Sequence, residues 1–172
     1  MRESDLSRLE EIARRARELP PMARVALQTL DNPEEVRRLL QEEFNKSIRA
    51  HESMADLIGR LRSVTEMSRS RAETIARTEK TRASNGERYA QAIDEFLEQH
   101  RRAVKNHRKR PALPIFQWIN PRTAKEPRPL HVEISGTRRA VGQEFLADLL
   151  YPGDPDAPAS ETINCHCYIR RA

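Results

Sequence analysis

The stretch SRSRAETIARTEKTRASNGERYAQAIDEFLEQHRRAVKNHRKR, residues 68–110, decides the fold. Ile75, Ala76, Ala83, Tyr89, Ile93, Phe96 and Leu97 mark apolar faces at helical spacing, with Asn85-Gly86 reading as a loop or weak point between them. Residue 111 is a proline, and beyond it long helical periodicity stops. Eight of the eleven prolines, the single tryptophan and both cysteines lie between 111 and 172. The change in composition predicts an α+β protein: a mainly helical N-terminal arm with long helices over 1–108, then a small proline-rich α+β cap with short strands over 111–172.

Working back from residue 68, apolar residues Val36, Leu39, Leu40, Phe44, Ile48, Met54, Leu57, Ile58, Leu61 and Val64 keep near-helical spacing. They predict one long helix over 34–67, or two with a break near residues 46–51. A narrow apolar stripe of that length draws its stability from a partner, either another helix of the same chain or a neighbouring subunit, so assembly into an oligomer is one expectation. A first helix over 3–19, capped by Ser4 or Asp5, ends at Pro20-Pro21. A short helical piece follows over 22–30, and Asp31-Asn32-Pro33 resets the chain.

In the cap, LPIFQWI (113–119) and HVEISG (131–136) read as strands, with 138–141 as a third. A short helix over 143–150 precedes the turn-rich YPGDPDAPAS and a terminal INCHCYI strand. Only 37% of residues are apolar and 5% aromatic against 33% charged, which suits narrow helical stripes better than a broad sandwich core. No run approaches the roughly 18 apolar residues of a membrane span, and MRESDLSRLEE lacks the apolar core of a signal peptide, so a cytoplasmic protein with no membrane partner is expected.

The net charge of +5 is concentrated in HRRAVKNHRKR (100–110), where Arg101, Arg102, Lys105, Arg108, Lys109 and Arg110 stand without an acid. Two readings remain open. Cations complement the dipole of a helix C-terminus, or the run contacts DNA phosphates or an acidic partner.

Cys165 and Cys167 form a C-x-C, in which a bond between residues i and i+2 is strained, so the thiols are expected free or metal-bound. Zinc favours Cys and His ligands in a tetrahedron; Cys165, Cys167 and His131 are candidates, with His166, Glu133 or Asp154 as the fourth. Strand alternation puts both cysteines on one face and His166 on the other. Packed free thiols and a catalytic Cys–His pair are the competing readings. With five glycines there is no phosphate-cradling loop, and no H-E-x-x-H, nucleophile elbow or acidic two-metal cluster occurs, so a non-enzymatic protein is expected. The alternatives are a small nuclease or toxin-like enzyme using His131 and His166 as an acid/base pair, or a basic DNA-binding accessory protein using residues 100–110.

The order of these elements carries more than any one of them. Ile75-Ala76-Arg77-Thr78-Glu79, Asn85, Trp118, Arg128 with His131, Gly136, Phe145, Pro152-Gly153-Asp154-Pro155 and Ile163-Asn164-Cys165-His166-Cys167 together span about residues 70–172. In this sequence of fragments the chain resembles the head-morphogenesis family of tailed bacteriophages, the minor head proteins of the Mu type. It departs from the family pattern at Asn120-Pro121-Arg122-Thr123, where no aspartate precedes His131, and at His166, where relatives carry Arg.

The resemblance implies a minor capsid component of the virion, in the head interior or at the portal vertex. Such a protein is made in the host cytoplasm and acts in viral assembly and in DNA packaging or delivery, with portal or other capsid proteins, and in one reading DNA, as partners in a multi-subunit assembly. It also implies structural bracing between arm and cap by Arg77, Glu79, Asn85, Arg128 and Asn164, and favours a structural zinc clip at Cys165, Cys167 and His131.

Overall fold

The computed structural model describes residues 1–17, 33–65, 67–146 and 148–172. The expected helical piece over 22–30, the stop at Pro20-Pro21 and Asp31-Asn32 of the expected reset lie outside these residues, while Pro33 is the first residue of a helix. Four helices form the N-terminal region: α1 (Glu3–Arg17), α2 (Pro33–Arg49), α3 (Met54–Thr65) and α4 (Arg69–Lys105). The cap holds β1 (Ile115–Ile119), α5 (Pro129–Glu133), β2 (Arg138–Ala140), α6 (Ala159–Thr162) and β3 (Tyr168–Arg171). The chain is therefore α+β with a helical N-terminal region, as its composition predicts.

The long stripe over 34–67 is two helices that turn at residues 50–53, and His51 takes a left-handed φ of 51° there. Its partner is in the same chain. Leu40 and Phe44 of α2, Leu57 and Leu61 of α3 and Ala72, Ile75 and Ala76 of α4 bury one another in a small core. Arg60 spans the turn, donating from Nη1 to Glu43 (3.1 Å) and from Nε to Glu52 (3.1 Å), and Lys80 donates to the Glu52 carbonyl (3.3 Å).

Helix α4 starts at Ser68, whose hydroxyl accepts from the Arg71 amide (3.4 Å), and runs for 37 residues. Asn85-Gly86 does not interrupt it: both residues are buried inside the helix. A Cβ on Gly86 would sit 2.3 Å from the Ala16 carbonyl oxygen, so glycine is what lets α1 lie directly against α4. The helix pays a small propensity penalty for a backbone contact that no other residue permits.

The second core joins Leu9, Ile12, Ala13 and Ala16 of α1 and Tyr89, Ile93, Phe96 and Leu97 of α4 to the cap residues Phe116, Trp118, Val141, Phe145, Leu149, Tyr151 and Ile169, with Cys165 and Cys167. Three antiparallel strands in the order β2-β1-β3 lie over it, with Gln117 opposite both Arg138 and Arg170. Phe116 and Trp118 alternate inward along β1.

Two cap segments differ from the sequence pattern. HVEISG is not a strand. Pro129 stands at the first helical position after an extended Arg128, its fixed φ favours one helical turn, and Gly136 at φ 94° then returns the chain to β1, its N–H donating to the Trp118 carbonyl (2.8 Å). Residues 143–150 are not a helix either. Gly142 (φ 82°) and Asp148 (φ 58°) hold left-handed backbone on both sides of Phe145, and an isolated bridge joins Leu146 to Leu149. The terminal strand begins at Tyr168, later than expected, so both cysteines precede it.

Candidate metal centre and the cleft above it

The single turn of α5 carries His131 into the interior, and the segment after α6 brings the two cysteines to it. Asn164 makes this possible by taking φ 55°, a left-handed conformation that asparagine tolerates better than most residues. The Sγ atoms of Cys165 and Cys167 both lie 3.6 Å from His131 Nδ1, and all three residues are buried. Their ligand atoms lie within 4.8 Å of one another, forming a group able to hold a metal ion.

The opposite ring nitrogen, Nε2, is 2.9 Å from the Glu161 carboxylate. A carboxylate there retains the imidazole proton on Nε2 and leaves the Nδ1 lone pair aimed at the sulfurs, the tautomer that ligation requires. The Cys165 thiol is pushed down to about 5 by the hydrogen bond from the Cys167 thiol, against the cost of burial. The Cys167 thiol is raised, because it donates to that sulfur and because it is buried. Trp118 closes the apolar side. Its ring stands edge-on to His131 at 5.1 Å, and its buried indole N–H has no hydrogen-bond partner among the described residues.

Among the described residues no further His, Cys, Asp or Glu joins the group. His166 points away, with Nδ1 3.0 Å from the Thr123 hydroxyl, as strand-like alternation predicts. Asp154 is buried elsewhere and accepts from the amides of Leu150 (3.0 Å) and Asp156 (3.1 Å). Glu133 also lies outside the group, so none of the three expected fourth ligands is in reach.

The expected bracing residues converge on the cysteine segment. Arg77 Nη1 donates to Asn164 Oδ1 (2.8 Å). Asn85 Nδ2 donates to the carbonyls of Pro152 (3.2 Å) and Cys167 (3.3 Å), while its Oδ1 accepts from the Ile169 amide (3.1 Å). Arg128 donates from Nε to the Ser160 carbonyl and from Nη2 to that of Ile163 (2.6 Å). Glu79 is buried beside Arg82, which in turn donates to the Gly153 carbonyl (2.9 Å). Most of these carbonyls and amides lie in loops without a sheet ladder, so side chains of α4, with Arg128 ahead of α5, supply the partners they need.

Sequence reasoning missed Glu161 at the imidazole, Thr78, which accepts from the Asn164 amide (2.8 Å), Thr81, which donates to the Cys165 carbonyl (3.1 Å), and Arg82. A signal was available for the last three. Positions 78, 81, 82 and 85 share one face of a helix, and a buried polar face needs polar partners.

A cleft of about 650 Å3 opens over the centre, with the three ligand residues in its floor and Arg77, Thr123, Lys125, Arg128, Asn164 and His166 among its walls. Partial burial and the nearby Arg77 and Arg128 hold the His166 imidazolium below its ordinary range. The basic run stands apart from this site. It leaves α4 at Lys105, with Arg101 paired to Glu10 (2.8 Å) and Arg102 to Glu98, while Lys105, Arg108, Lys109 and Arg110 are exposed.

No described helix is long and apolar enough to cross a membrane. No protein-family model matches the chain, and no solved structure matches it. The chain is similar to the uncharacterized protein YqbB of Bacillus subtilis (strain 168), 26% identical over an alignment of 140 residues that covers 76% of this chain. It spans 40% of the length of that relative.

Proposed function

We propose that the protein is a non-enzymatic minor head protein of a tailed phage, acting at the portal or head interior during capsid assembly and DNA packaging or delivery. One observation carries the reading. The ordered fragments that resemble the head-morphogenesis family meet in space: Thr78 of the Ile75–Glu79 segment and Asn85, both on α4, hold the Asn164–Cys167 segment by side-chain to main-chain bonds. A shared fold-holding function explains why fragments so far apart in sequence occur together.

The metal is zinc in this reading, and its role is structural. A tetrahedral zinc with Zn–S of about 2.3 Å and Zn–N of about 2.0 Å separates sulfur from nitrogen by about 3.5 Å. Both distances here are 3.6 Å. Cys165, Cys167 and His131 would hold the ion, and Glu161 would orient the imidazole.

The cleft favours a second reading, a small nuclease or toxin-like enzyme using His131 and His166. Against it, both ring nitrogens of His131 are engaged, one by Glu161 and one by the thiols, which leaves none for a substrate.

Particles assembled from the head genes of the source genome, with and without this gene, separate the readings. The expected result is that the protein co-purifies with particles at low copy and that particles formed without it package or deliver less DNA. Absence from particles, together with nucleic-acid cleavage by the purified chain that His166→Ala abolishes, would overturn the proposal.

A further inference from the structure

Most arginines that pack across this surface meet a carboxylate. Arg17 pairs with Asp94 (2.6 Å), Arg60 with Glu43 (3.1 Å), Arg101 with Glu10 (2.8 Å) and Arg171 with Glu95 (2.6 Å). The cleft over the thiols breaks this habit. Arg77 donates to the amide oxygen of Asn164, and Arg128 donates to two main-chain carbonyls, all neutral acceptors. Lys125 extends from the wall, and among the described residues no carboxylate pairs with any of the three cations. Glu126 is the one carboxylate in the lining.

The neutral acceptors matter. They fix two guanidinium planes in place without cancelling their charge, so the cost of ordering those side chains is met before a ligand arrives. Arg128 keeps Nη1 free, and Arg77 keeps Nε and Nη2, which is donor capacity for an oxyanion. The volume of about 650 Å3 admits a short run of residues rather than a single ion. No Phe, Tyr or Trp lines the cleft, whereas sites for single-stranded nucleic acid rely on aromatic platforms for the bases.

We propose that this cleft is a docking site for an acidic segment of a partner protein, whose carboxylates are received by Arg77, Lys125 and Arg128. The identity of the partner as a protein of the same assembly rests on the head-protein reading; the chemistry of the site does not.

Titration of the purified full chain with the capped peptide acetyl-Asp-Glu-Asp-Glu-amide tests it, read by calorimetry and by amide chemical shifts. Saturable binding at one site, with shifts centred on residues 123–128 and 164–166, is expected. Reversal of the exposed cation in Lys125→Glu should weaken binding about tenfold, the loss of one charge-assisted contact. Arg108→Glu on the distant basic run should change it less than about twofold. Near-UV dichroism of the buried Trp118 checks that both variants keep their fold. Absence of saturable binding, equal loss in both variants, or tighter binding of inorganic phosphate or an eight-nucleotide oligo-dT than of the peptide would each overturn the inference. Because this assay needs no particle, its failure is distinguishable from failure of the head-protein reading, which is measured in particles.

Discussion

Asp154 is a buried carboxylate in the Pro152–Pro155 turn, where it accepts from two amides but is pushed up to about 6 by burial. Its unfolded value is about 3.9. The folded chain therefore binds this proton more tightly, and the resulting stabilisation is fully present below about pH 4 and is lost as pH rises through about 6, a term on the order of 3 kcal/mol. Denaturant unfolding between pH 4 and 7 should show stability from this group falling with pH, and Asp154→Asn should flatten that slope. An unchanged slope in the variant would place the dependence on another group. The sequence offers the same residue as one of three candidates for a fourth metal ligand. Composition shows that a carboxylate is near a C-x-C in the chain; it does not show that two neighbouring amides have already claimed its oxygens.

At the scale of elements, the join between α4 and the cap is a row of polar side chains. Asn85 makes the most of it, with bonds to three separate cap residues. Asn85→Ala removes those partners while leaving the Ile169 amide and two carbonyls buried, a cost of about 2–4 kcal/mol. Hydrogen exchange should report it locally, with the Ile169 amide losing protection before the α2–α3 amides; uniform loss of protection across the chain would contradict the row as a local clasp. Legibility follows the same physics. Helices α1 to α4 and β1 are visible because a repeating burial pattern fills each of them. The 131–136 and 143–150 segments misread because one Pro129 and two left-handed residues, Gly142 and Asp148, override β-branched and helix-forming neighbours. At the site, the ligand chemistry of Cys and His points to the Cys165, Cys167 and His131 set, and side alternation sets His166 apart from it. Glu161 stayed hidden because its meeting with His131 depends on the path of two short helices, not on spacing.

For the whole molecule, the proposed metal would be the lever on stability. Cys165, Cys167 and His131 as its ligands would tie α5 to the α6–β3 segment, which few regular hydrogen bonds hold. Elemental analysis should find about one zinc per chain, reduced to background in the Cys165→Ser, Cys167→Ser double variant. At zinc a hundredfold above its dissociation constant the gain is about 2.7 kcal/mol. A chain of this size should then melt some 5–10 °C higher than after chelation. No bound metal and identical melting curves would leave the pair as ordinary packed thiols.

Helix α4 contributes to both cores, its first turns to the α2–α3 cluster and its later turns to the sheet and α1, with the polar row between. At 1.5 Å per residue its 37 residues reach about 55 Å. A stiff rod clamped at two stations transmits displacement instead of absorbing it. A push on the α2–α3 pair that rotated this rod about its axis would swing Arg77 and Asn85 together and carry the cysteine segment with them, so a load applied far from the thiols would be felt at the cleft.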